Sequence, residues 1–232
     1  MERTGGRQQR RLIVRRLAPV LLALLGPLLY IRDAPARGGA QPAWGIDTPL
    51  PAATRDVRSA SWAEALAPIE VTSLATGESG SIRLYGLDGE VDEVQRMRFE
   101  HLVARDGEQH VLAARLEQLV VKAAHHFGDA RVFVVCGWRE HAGRHTTGEA
   151  LDFKLRGVRA AVLAAYLRDL PRAGVGIYTH PRTQYVHLDV REPSFHWLDA
   201  SPPGVTWRER PIRDPGQAKR DASWTPDSDL PF

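Results

Sequence analysis

The sequence predicts an α+β domain in which helices pack against a mostly antiparallel sheet. Three observations predict it. Strand-like and helix-like segments follow one another as strands, helix, two strands, helix, two strands. Two segments carry apolar stripes at spacings of three and four. The last two strand-like segments are separated only by residues 179–184, too few for a crossover, so they pair antiparallel.

Ile69-Glu70-Val71-Thr72 and Ser81-Ile82-Arg83-Leu84-Tyr85 alternate as strands do, and Thr76-Gly77-Glu78-Ser79-Gly80 makes a turn between them, which predicts a hairpin. Residues 111–127 predict a helix. Leu112, Leu116, Leu119, Val120, Ala123 and Phe127 fall on one stripe, while Arg115, Glu117 and Lys122 lie away from it. Residues 131–136 are a buried strand, residues 151–155 a short one, and residues 158–170 a second amphipathic helix ended by Pro171. Gly174-Val-Gly-Ile-Tyr178 and Tyr185-Val-His-Leu-Asp-Val190 complete the sheet. The single cysteine, Cys136, ends an apolar run and is expected to pack in the core.

The 232 residues suffice for one domain with extensions. Residues 1–40 read as a leader, either a signal peptide or an N-terminal anchor. Eight Arg against Glu2 and Asp33 give them a net charge of +6, and the apolar run 17–31 is shorter than the ~20 residues of a membrane span. Arg10-Arg11 resembles a twin-arginine export signal. Membrane contact is therefore expected only through this leader, with the body exported to the periplasm or cell envelope. The whole chain carries +3, so the body carries −3. A phosphate-binding surface needs cations clustered on the folded part, and no nucleic-acid partner is expected. Residues 41–68, rich in Pro, Ala, Gly and Arg, read as a linker. Residues 69–198 hold the domain, and residues 199–232, without periodicity, read as an extended or disordered tail.

Two segments carry the chemistry: residues 136–152 and Tyr185-Val-His-Leu-Asp189. Zinc takes imidazole nitrogen and carboxylate oxygen, and a catalytic site uses three protein ligands. Asp152 shares a strand face with Ala150 and Lys154, opposite Leu151, Phe153 and Leu155. The same alternation puts Tyr185, His187 and Asp189 on one face. Gly148 lets the chain turn between His145 and the strand of Asp152. His125, His126 and His141 have no third ligand at useful spacing and read as ordinary histidines.

Gly143-Arg-His-Thr-Thr-Gly-Glu-Ala-Leu-Asp152 resembles the Ser-x-His-x-x-Gly-x-Ala-x-Asp motif of zinc D-Ala-D-Ala carboxypeptidases and their murein endopeptidase relatives, most closely the endopeptidase K type. Cys136-Gly-Trp-Arg139, Gly174-Val-Gly-Ile-Tyr178 and Tyr185-Val-His-Leu-Asp189 resemble that family's flanking motifs, in order, over roughly residues 69–198. The resemblance implies the hedgehog/D-Ala-D-Ala-peptidase fold, Zn2+ on His145, Asp152 and His187, and peptidoglycan peptides as substrate, cleaved by endopeptidase or carboxypeptidase action. It places Arg139 near the metal, where a guanidinium holds a carboxylate or an oxyanion. Gly143 replaces the family's Ser. Gln184 stands where several relatives carry the acid that serves as general base, and an amide takes no proton from water. Asp189 is the nearest replacement, as base or as a carboxylate orienting a ligand, and His180 is a second candidate base. The same gap leaves open a zinc-containing domain that binds cell-wall peptides or a protein without turnover.

Overall fold

The computed structural model describes residues 61–104, 110–141, 143–205 and 209–232. The leader and most of the linker lie outside them. Among the described residues no helix is long and apolar enough to cross a membrane.

The described residues are α+β, with five helices around a mixed eight-stranded sheet. Helix α1 (Ser61–Ala65) precedes strand β1 (Ile69–Ser73), which forms the expected hairpin with β2 (Ser79–Ile82). Helix α2 (Glu93–Val103) and helix α3 (Ala114–His126) lead to β3 (Val132–Cys136) and β4 (Ala150–Leu155). Helix α4 (Ala160–Arg168), β5 (Ala173–Tyr178), β6 (Tyr185–Val190) and β7 (Phe195–Asp199) follow, then the short β8 (Arg210–Pro211) and helix α5 (Gln217–Ala222). The strand order is β2-β1-β3-β4-β6-β5-β7-β8.

The expectation of a mostly antiparallel sheet missed two parallel pairings, β1 with β3 and β5 with β7. Each has a reason in the connections. A crossover through α2 and α3 returns β3 beside β1 in the same direction. At the other end, β6 turns back antiparallel along β5, and β7 crosses to the free edge of β5, which makes it parallel to β5. The site side chains lie along one row of this sheet. Cys136 pairs with Asp152, Asp152 with His187, His187 with Gly176, and Gly176 with Trp197, from β3 through to β7. On the opposite face Leu151, Phe153, Val186, Leu188 and Val175 are at most 1% exposed and belong to a single core cluster with α3 and α4.

Three departures from the expected layout fall on segments that are too short to show a hydrophobic period or are fixed by polar contacts that leave none. Part of the linker is α1, whose Ala63 is buried and whose Trp62 ring meets Tyr85 at 5.0 Å. Helix α2 starts at an N-cap, Asp92, whose carboxylate accepts the amides of Val94 and Gln95, and its apolar stripe is weak. The tail, expected to be extended or disordered, is strapped to the domain instead. Asp221 accepts the amides of Arg172 and Ser194 and the Ser194 hydroxyl, and Asp229 takes a forked pair from Arg115 and the indole N–H of Trp224.

Glu117, which lies away from the apolar stripe of α3, is buried beside the unanticipated α2. It is 0% exposed, and among the described residues neither carboxylate oxygen has a hydrogen-bond partner; Arg96 Nε is 3.9 Å away. Burial, then the neighbouring Glu100, push its pKa up to about 9. The folded chain therefore holds this proton while the unfolded chain loses it near pH 4.5. Its contribution to stability is complete below that pH and is lost as pH rises toward about 9. Glu117→Leu is expected to remove this loss. The urea midpoint of the variant should exceed that of the parent by more at pH 8 than at pH 5, with a difference of roughly 1–3 kcal/mol at pH 8. Equal gains at both pH values would refute the assignment.

Candidate metal centre

His145 sits at the end of a 3-10 turn, Gly143–His145, between β3 and β4. Its Nδ1 donates to the Gly137 carbonyl at 2.7 Å, so Nε2 carries the lone pair and faces inward. Gly148 holds φ at 72°, and a Cβ there would overlap the Val111 carbonyl, so both the turn and the close approach require glycine. Thr146 Oγ1 donates to the Arg139 carbonyl, and Trp138 Nε1 donates to the Thr146 carbonyl, tying the Arg139 loop to this turn.

The structure brings His145, Asp152 and His187 together. His187 Nδ1 lies 2.8 Å from Asp152 Oδ1 and 3.2 Å from His145 Nε2, and His145 Nε2 lies 3.5 Å from Asp152 Oδ1. A tetrahedral ion with bonds of about 2.0–2.1 Å holds its ligands about 3.3 Å apart, so this donor set has the spacing of a metal site. All three residues are buried. Cys136 joins them: Cys136, His145 and Asp152 form a buried cluster, with ligand atoms all within 4.8 Å of one another, that could hold a metal ion. The core assignment of Cys136 fails on one detail. A register shift between Val134 and Cys136 turns the thiol from the core face to the Asp152 face. His187 and Cys136 thus flank Asp152 on the two neighbouring strands, and His187, with Nδ1 2.8 Å from Asp152 Oδ1, is the close partner.

The electrostatics favour a cation. Burial opposes ionisation of Asp152, but hydrogen bonds from His145 and His187 outweigh it and hold its carboxyl well below the usual range. Burial alone would depress His187, yet Asp152 and Asp189 on either side push it up to about 9. Two carboxylates around one imidazole make a field that stabilises positive charge.

The other sequence candidates are distributed unevenly. Arg139 is about a third exposed, with Nη2 4.0 Å from Asp152 Oδ2, in the wall of a cleft of about 470 Å3 that His145 and His187 also line. A second cavity of about 450 Å3 adjoins it at Arg139 and Tyr178 and runs under the Ser201–Val205 part of the tail. Asp189 is fully buried and accepts from His187 Nε2 at 3.1 Å. His180 lies in its own turn, its Nδ1 accepting the Arg182 amide. Gln184 lines a separate cavity beside Lys154. Sequence reasoning missed Glu209 and Trp197, which line the cleft beside His145 and His187. Trp197 packs at a tilt 5.0 Å from His187, over Gly176. Glu209 lies in the unperiodic tail, where nothing in the sequence marks it. For Trp197 the only signal was the Gly-x-Gly of β5, which leaves room for a large ring.

Fold and site together define the class: an α+β chain with a mixed sheet and a buried His–Asp–Cys cluster fit for a metal ion. No family model, curated protein or solved structure matches it.

Proposed function

We propose that the chain is a zinc metallopeptidase of the hedgehog/D-Ala-D-Ala-peptidase type that hydrolyses peptide cross-links or stem peptides of bacterial peptidoglycan, exported by its leader. The observation that carries this reading is the convergence of His145 Nε2, Asp152 Oδ1 and His187 Nδ1 at metal-ligand spacing beside a cleft. The four ordered motifs support the substrate class, and the Arg-rich, apolar residues 1–40 support export.

Bound zinc supplies Lewis acidity, polarising the scissile carbonyl and lowering the pKa of water toward about 7. Arg139 offers permanent positive charge at the cleft wall, where the carbonyl oxygen becomes negative. Asp189 keeps the His187 proton on Nε2, which frees Nδ1 for the metal. Sealed behind the imidazole, it cannot reach a water in the cleft, and it is a positioning group rather than the base. Glu209, an exposed carboxylate lining the cleft, is the group we assign to take the proton of the attacking water and pass it to the leaving amine.

A second reading, a zinc-containing domain that binds cell-wall peptides without turnover, is favoured by the amide at Gln184. Purified protein incubated with muropeptides separates the two. Loss of cross-linked dimers, blocked by a chelator and restored by zinc, is expected. Full zinc occupancy without any cleavage would leave only the binding reading.

A further inference from the structure

We propose that Arg191 is a positioning residue for His187, acting through Asp189. The inference rests on the reading of His187 as a metal ligand and adds to it the group that sets its ring.

Asp189 lies two residues beyond His187 on the same face of β6, fully buried. Both of its oxygens are engaged by one fork: Arg191 Nε donates to Oδ1 and Arg191 Nη2 to Oδ2, each at 2.5 Å. The His187 Nε2 proton goes to Oδ2 at 3.1 Å. A carboxylate gripped at both oxygens has no freedom to rotate, so it holds the imidazole in one orientation, with Nδ1 toward Asp152 and His145.

Arg191 is itself fixed. Its guanidinium lies 5.6 Å from the ring centroids of both Phe195 and Trp197, and the Trp197 ring lies 5.0 Å from His187. The Gly174-Val-Gly176 strand makes this layer possible. Gly174 pairs with Asp189 and Gly176 with His187, and a Cβ on Gly174 would overlap the Asp189–Arg191 pair, while one on Gly176 would overlap the Trp197 indole. The Gly-x-Gly of β5 thus leaves, on the far side of His187 from the metal ligands, the space that Arg191, Asp189 and Trp197 fill. Lysine cannot stand in for Arg191, because an ammonium lacks the planar fork.

Competition between the full chain and a chromophoric chelator for Zn2+ tests this. Arg191→Met is expected to bind one equivalent with affinity weakened by about 10–100-fold, and Arg191→Lys to be weakened as well. With Co2+ as the probe, the visible absorption of Arg191→Met should shift from that of the parent. Because Arg191→Met leaves the buried carboxylate with only the more distant Arg144, whose Nε is 3.5 Å from Oδ1, the double variant Asp189→Asn/Arg191→Met removes both charges of the fork. It is expected to unfold like the parent and to bind Zn2+ no more weakly than Asp189→Asn alone. Parent-like affinity and spectrum in Arg191→Met would overturn the proposal and leave the metal reading standing, as would a lower unfolding temperature with unchanged affinity. A double variant weaker than Asp189→Asn would overturn the route through Asp189. A parent protein that takes up no zinc would overturn the metal reading and this inference together.

Discussion

His187→Ala is expected to leave the purified protein without stoichiometric zinc and without detectable cleavage of muropeptides. Removing a group that only orients a ligand costs about 10–100-fold in metal affinity, and removing a ligand outright costs more. The substitution also leaves Asp152 and Asp189 without the imidazole that separates them, so His187→Gln, closer in volume and polar, serves as the folding control. Zinc content by elemental analysis is the decisive measurement. Cys136 gives it a second use, since it flanks Asp152 on β3 as His187 does on β6. Zinc retained in His187→Ala and lost in Cys136→Ser would transfer the third ligand position to the thiol. Zinc lost in His187→Ala and kept in Cys136→Ser is the outcome the 2.8 and 3.2 Å separations lead us to expect.

Glu209→Gln is expected to lower kcat by about 10²–10⁴-fold while zinc content and KM stay near those of the parent. The substitution keeps the shape and a polar end while removing the negative charge and the basicity. Asp189, His180 and Glu209 are the candidates for this proton transfer, and burial, hydrogen bonding and position separate them. Asp189 is 0% exposed and engaged by Arg191 and His187, so Asp189→Asn should act on metal affinity. His180 accepts a backbone amide in its own turn, so His180→Ala should leave turnover nearly unchanged. Glu209 borders the same cleft as His145 and His187. Unchanged kcat in Glu209→Gln with loss in His180→Ala would return the role to His180.

Much of the scaffold could be read residue by residue. The stripes of α3 and α4, the hairpin of β1 and β2 and the antiparallel pair β5–β6 rest on local periodicity and turn length, which the chain carries wherever it folds. Alternation also put Asp152 on one strand face and His187 with Asp189 on another. The misses fall where periodicity is absent or interrupted. Helix α2 is announced mainly by a polar cap, and burying Glu117 depends on where that helix comes to rest. The tail is held by Asp221 and Asp229, whose partners, Arg172, Ser194 and Arg115, are 27 to 114 residues away. One extra residue in β3 reverses the face of Cys136, and no composition rule reports a bulge.

The sequence by itself determined the residue types of the site, the face of each strand on which they stand, and the α+β class, because these follow from period and chemistry along a continuous segment. Only the tertiary structure decided that β4, β6 and β5 lie side by side in one register, which lines up Cys136, Asp152, His187, Gly176 and Trp197 in a single row. It also decided that Asp189 is sealed behind that row while Glu209, from the tail, faces the cleft. Register between distant strands is set by how their apolar faces share one core, and burial by what packs above them. Neither quantity is local to any stretch of the chain.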